Sequence, residues 1–236
     1  MYFRTSQRET GAAPLIARRP YVHRLKIALL LSCLSYALMA VAELAIPVEL
    51  LGKIERKFGN AGKARVVQWQ QLMTTGRTLS DQQKLERVND FFNQAITFTE
   101  DILLWHVNDY WATPIEFLAQ GAGDCEDYAI AKYFTLKELG VAEQKMRITY
   151  VKAIQLNQAH MVLTYFETPR SVPMVLDNLK PVILPATARN DLVPVYSFNG
   201  SGLWLAKARG AGQQVGGSER LSLWADLTQR MMRNAL

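Results

Sequence analysis

The chain has 236 residues, 49% of them hydrophobic, and a formal net charge of +6. Length and apolar content fit one globular domain with a substantial core. The charge does not mark a nucleic-acid binder, because it is not spread over the chain. Arg4, Arg8, Arg18, Arg19, Arg24 and Lys26 face only Glu9 within residues 1–42, so the tail carries +5 and the rest +1. A body so near neutrality offers phosphate no general attraction.

The tail has the layout of a secretion signal. Its basic stretch ends at Lys26, Ile27 to Ala42 is uncharged, and Ala40-Val41-Ala42 supplies small residues before Glu43. An uncleaved anchor and a buried helix of the fold are the alternatives, although the uncharged run falls short of the roughly 20 residues of a full span. With the positive tail held in the cytoplasm, the domain at 43–236 faces the periplasm.

Beyond Pro47 the sequence reads as helical to about residue 98. Val66, Trp69, Leu72 and Met73 lie at helical spacing within Ala61–Thr74, as do Leu85, Val88, Phe91, Phe92 and Ile96 within Asp81–Thr97. Ser80 is placed to cap the second. Thr113-Pro114 opens a short helix that Gly121 and Gly123 end, and Asp124 to about Leu139 forms the next, stopped by Gly140. The period then changes. Met146–Ile154, Ala159–Phe166, Val172–Asp177, Val193–Phe198 and Leu203–Leu205 read as strands. Arg209–Ser218 reads as a mobile loop, and Ser218 caps a last helix to Met232. Helices followed by an antiparallel sheet predict an α+β fold.

Cys33 and Cys125 are the two cysteines. If the signal is removed with Cys33, Cys125 has no disulfide partner. It stands in Gly121-Ala122-Gly123-Asp124-Cys125-Glu126-Asp127-Tyr128, at the start of a helix, where a thiol is a candidate nucleophile. Its acidic flanks argue against the other reading, a small buried hydrophobe. A thiol nucleophile needs an imidazole to take its proton and a third group to orient that imidazole. Outside the tail the histidines are His106 and His160. His160 opens one strand and Asp177 ends the next, so antiparallel pairing can set them side by side. Taken singly, His160 reads better as a core histidine, and Asp177 can be a strand-end turn former with Asn178; with Cys125 in this order the base and its orienting group are the better reading. Asp124 and Glu126 oppose ionisation of the thiol between them, unless a hard cation such as Ca2+ reverses that field. The alternative makes Asp124 a helix cap and Glu126 and Asp127 favourable acids of the first turn.

Together, Asp109-Tyr110-Trp111-Ala112-Thr113-Pro114, Gly123-Asp124-Cys125-Glu126-Asp127-Tyr128, the His160-Met161-Val162 strand and Leu176-Asp177-Asn178 resemble the bacterial transglutaminase-like cysteine proteinases, over roughly residues 50–205. The resemblance implies a papain-like α/β arrangement and a triad of Cys125, His160 and Asp177. It implies calcium dependence, with Asp124 and Glu126 as ligands and Asn108 and the Tyr110 carbonyl completing the set. Members cut a giant surface adhesin near its N-terminus, releasing cells from a biofilm, and an inner-membrane cyclic-di-GMP receptor sequesters them. The Cys125 backbone N–H and the Trp105 indole N–H are candidate oxyanion donors. An acyltransferase with the same triad, a non-catalytic docking module and a peptidoglycan-cleaving enzyme are the competing functions. A zinc hydrolase is disfavoured by the absence of His-Glu-x-x-His.

Overall fold

Val48–Gly76 forms α1, which is longer than the helix expected at 61–74. Gly59, at φ 72° and ψ −179°, interrupts it, so two helical pieces meet at a kink. The structure, a computed structural model, describes residues 46–205 and 212–233 together with Met1. The chain divides into two units at Ala45/Ile46, and the elements described belong to the second. The expected signal or anchor at 1–42 lies outside the described residues.

Asp81–Ala95 forms α2 and starts as its sequence predicts. The Ser80 hydroxyl accepts the Gln83 N–H at 3.4 Å, and Gln83 Oε1 accepts the Ser80 N–H at 3.1 Å. Leu85, Val88 and Phe92 are its buried apolar face. Thr97–Phe98 (β1) pairs in parallel with Ala122–Gly123 (β2). Between them lie Asp101–Leu104 (α3) and Pro114–Gln120 (α4), the latter capped by Thr113 and Glu116. Cys125–Glu138 forms α5. Consecutive residues from Asp127 to Tyr133 are all buried, so α5 is covered around its whole circumference. Strands of the main sheet pack on one side of it, and α2 and α4 pack elsewhere around it.

The main sheet is built from Met146–Ala153 (β3), Gln158–Tyr165 (β4), Met174–Leu176 (β5), Leu184–Pro185 (β6), Leu192–Phe198 (β7), Leu203–Leu205 (β8) and Gln213–Gly216 (β9). Its order is β6-β5-β4-β3-β7-β8-β9, with every neighbouring pair antiparallel. The expected α+β layout is the observed one. The interior strand β4 is buried from His160 to Tyr165.

Three boundaries differ from expectation. β5 stops at Leu176, leaving Asp177 just beyond the ladder. The segment expected as a mobile loop supplies β9, because Gln213 and Gln214 find backbone partners on the free edge of β8 at Leu205 and Trp204. The last helix, Ser222–Met232 (α6), begins after a 3₁₀ turn at Ser218–Arg220. Leu221, at φ −93° and ψ 107°, separates turn from helix, so Ser218 is not its cap.

Candidate active site

The entry to α5 depends on two glycines. Gly121 ends α4 at φ 74°, and a Cβ there would stand 2.4 Å from the Arg65 guanidinium. That guanidinium is fixed by bonds to the carbonyls of Leu118 at 2.6 Å and Ala119 at 2.8 Å. A Cβ on Gly123 would meet Asp127 Oδ2 at 2.4 Å and the Phe117 ring at 2.6 Å. Asp127 is fully buried; its Oδ1 accepts the Ala112 N–H at 2.8 Å and its Oδ2 the Asp124 N–H at 3.3 Å. Asp127 thus fastens the start of α5 to the Trp111-Ala112 segment, and Cys125 occupies the first helical position, half-buried.

Leu163 of β4 pairs with Leu176 of β5, so the chain just past β5 returns alongside His160. His160 Nε2 lies 2.8 Å from Asp177 Oδ1, and both side chains are buried. Burial would raise the Asp177 carboxyl, but bonds from His160, the Leu179 N–H and Arg189 outweigh it and hold the group below its ordinary value. Asp177 is therefore an acceptor and His160 Nε2 the donor to it, which leaves Nδ1 as the ring nitrogen free to exchange a proton. α5 packs against β4, the strand that carries His160. Cys125 and His160 line one cleft of about 370 Å³, with Trp111 and Tyr196 in its walls. The structure brings Cys125, His160 and Asp177 together at one end of α5.

The field at Cys125 is the one its acidic neighbours predict. Burial first, then Glu126 and Asp124, push the thiol well above its ordinary value. Its Sγ donates to Glu126 Oε2 at 3.1 Å. Burial and the facing Glu126 carboxylate raise Asp124 to about 9, and burial raises Glu126 to about 7. These acids are not alone. Ligand atoms of Asp101, Asp109 and Glu126 lie within 4.8 Å of one another, as do those of Asp101, Asp124 and Asp127. Asp101 Oδ1 and Asp124 Oδ1 are buried without a hydrogen-bond partner among the described residues. Several converging carboxylates, two of them with orphaned oxygens, fit a hard divalent cation.

Asp101 and Asp109 are the acids that sequence spacing alone did not single out. Asp101 stands more than 20 positions before Asp124, and only the β1–β2 pairing brings the two together. Asn108 is exposed and lines the cleft. Tyr110 donates its backbone N–H to Asp101 Oδ2 at 2.5 Å, and its hydroxyl turns away to Glu116 at 3.0 Å. Trp105 packs on Tyr110 with ring centroids 4.7 Å apart, and its indole N–H is buried without a hydrogen-bond partner among the described residues.

The sequence profile described as "Bacterial transglutaminase-like cysteine proteinase BTLCP" matches residues 60–205. The chain belongs to the bacterial transglutaminase-like cysteine proteinases. Solved structures agree. The calcium-bound LapG of Legionella pneumophila is 45% identical, with a TM-score of 0.67 over 79% of this chain and 99% of that one. The EGTA-treated form of the same protein gives 44% identity and a TM-score of 0.69 over 79% and 98%. A search of curated proteins found no match. In this chain Cys125 starts a helix and lines the same cleft as His160.

Proposed function

We propose that this protein is a calcium-dependent cysteine endopeptidase of the periplasm that cuts a large surface adhesin in its N-terminal region. In this reading Cys125, His160 and Asp177 are the catalytic triad. His160 Nδ1 takes the thiol proton, and the Cys125 sulfur attacks a peptide carbonyl carbon. His160 then protonates the leaving amine as the C–N bond breaks, giving an acyl-enzyme. Water, deprotonated by His160, attacks the thioester and returns the thiol. The Cys125 backbone N–H, one of the free donors at the start of α5, faces the developing oxyanion. Asp101, Asp109, Asp124 and Glu126 would hold the calcium ion, whose charge opposes the field that suppresses the thiolate.

The observation that carries this reading is the pairing of a His160–Asp177 hydrogen bond with a thiol beside a carboxylate cluster in which Asp101 and Asp124 have unsatisfied oxygens. The calcium-bound state of the LapG neighbour favours the same ion. Substrate, biofilm release and sequestration by an inner-membrane cyclic-di-GMP receptor follow from the family resemblance. The periplasmic location, and a signal or anchor at 1–42 preceding the domain at 43–236, rest on the tail sequence. An acyltransferase would use the same triad with an amine in place of water.

Incubation with the purified N-terminal region of a co-encoded adhesin tests the proposal. One cut, abolished by EGTA and by Cys125→Ala in a folded variant, is the expected result. Cleavage retained by Cys125→Ala, or indifferent to EGTA, contradicts it; cross-linked products with no new termini would favour the acyltransferase.

A further inference from the structure

Asp177 is gripped from the side opposite His160. Its Oδ2 accepts a bond of 2.6 Å from Arg189 Nη2, and the two side chains are 1% and 0% exposed. Its Oδ1 serves His160 and also the Leu179 N–H at 3.0 Å. The Asp177 carbonyl accepts the Asn93 amide at 2.9 Å, and Asn93 in turn accepts from the buried Lys132 ammonium at 2.8 Å. Arg189 is itself fixed. Its Nε and Nη2 reach the two oxygens of Asp191 at 3.0 and 2.9 Å, and its backbone N–H closes a turn on Ala186 at 3.1 Å.

We propose that Arg189 is a positioning residue of the triad, holding Asp177 in the one orientation from which Oδ1 meets His160. A buried carboxylate with a single imidazole partner can rotate about its χ2 or take up a proton. With Oδ2 held by a fixed guanidinium, rotation would break a charge-assisted bond, and protonation would leave Arg189 facing a neutral acid. Asp191 supplies the second negative charge, so the Asp191–Arg189–Asp177–His160 series alternates in sign when the ring is protonated. A lysine cannot span both carboxylates with a planar fork, so the geometry is specific to arginine. The sequence separation hides this role: Arg189 lies between β6 and β7 and meets Asp177 only because β5 and β6 fold back on β4.

The proposal rests on the triad reading above, and a double-mutant cycle in kcat separates the two. The calcium-loaded enzyme is compared with Asp177→Asn, Arg189→Gln and the double variant, using cleavage of the adhesin's N-terminal region. Arg189→Gln is expected to lower kcat by about tenfold with little change in KM. Added to Asp177→Asn, it is expected to change kcat by less than about twofold, since its target is already altered. Should Arg189→Gln fail to fold, Arg189→Lys keeps the charge and replaces it in the cycle, with a loss of kcat that likewise disappears on the Asp177→Asn background. Full additivity, or an unchanged kcat in a folded Arg189 variant while Asp177→Asn is impaired, overturns the positioning role and leaves the triad standing. Unimpaired Asp177→Asn overturns both.

Discussion

Cys125 is set in a field that, without a cation, works against its chemistry. The thiol is pushed up by burial, Glu126 and Asp124, and the same crowding raises Asp124 to about 9 and Glu126 to about 7. Those values lie above the ordinary 3.8 and 4.5. Above about pH 4 the unfolded chain has released protons that the cation-free folded protein still binds, so its stability is full below that point and falls as pH rises toward Asp124's folded value. Buried Lys132, lowered by burial to about 7, acts in the opposite sense only above that pH. In EGTA the urea midpoint is therefore expected to be lower at about pH 7 than at about pH 5, and calcium to shrink or reverse the difference. A midpoint in EGTA that is level or rises over that interval would contradict the assigned acid cluster.

At the scale of elements, the site is a meeting of α5 with β4 and of β5's end with β4. Much of this is legible in the sequence. Asp124-Cys125 at a helix start, His160 early in a strand and Asp177 at the end of the next fix three points, and antiparallel pairing is enough to join two of them. What is not legible is long-range. Asp101 reaches Asp124 through the two-residue β1–β2 ladder, which no periodicity announces, and Arg189 reaches Asp177 through the short β6. β9 was hidden by its glycines and glutamines, which read as loop until an open edge on β8 is available. The Gly121–Gly123 passage is a tight element junction. Gly123→Ala places a methyl against Asp127 and Phe117, and overpacking of about 1–3 kcal/mol is expected as a lowered urea midpoint. A variant as stable as the wild type would show that the start of α5 can shift.

For the domain as a whole, the C-terminal helix closes the site although it lies beyond the matched span of 60–205. Leu221, Ser222 and Leu223 form part of the cleft wall. Arg230 binds Glu116 Oε2 at 2.7 Å, the Tyr110 hydroxyl at 3.0 Å and the Trp111 carbonyl at 2.5 Å, so α6 holds the segment that carries Asp109. Arg230→Ala is expected to raise the calcium concentration needed for half-maximal cleavage by about tenfold; an unchanged requirement would show that α6 is not coupled to the acid cluster. In the proposed reading, helices and sheet supply the nucleophile, its base and the cation site, and the C-terminal residues Leu221 to Leu223 line the same cleft. In the proposed enzyme Cys125 is reactive only when the acids around it are neutralised by a cation. The rate of iodoacetamide alkylation at Cys125, mapped by mass spectrometry in calcium and in EGTA, tests it most directly. Labelling is expected to be at least about tenfold slower in EGTA, because the thiol is then held protonated. Equal rates, or faster labelling in EGTA, would contradict it.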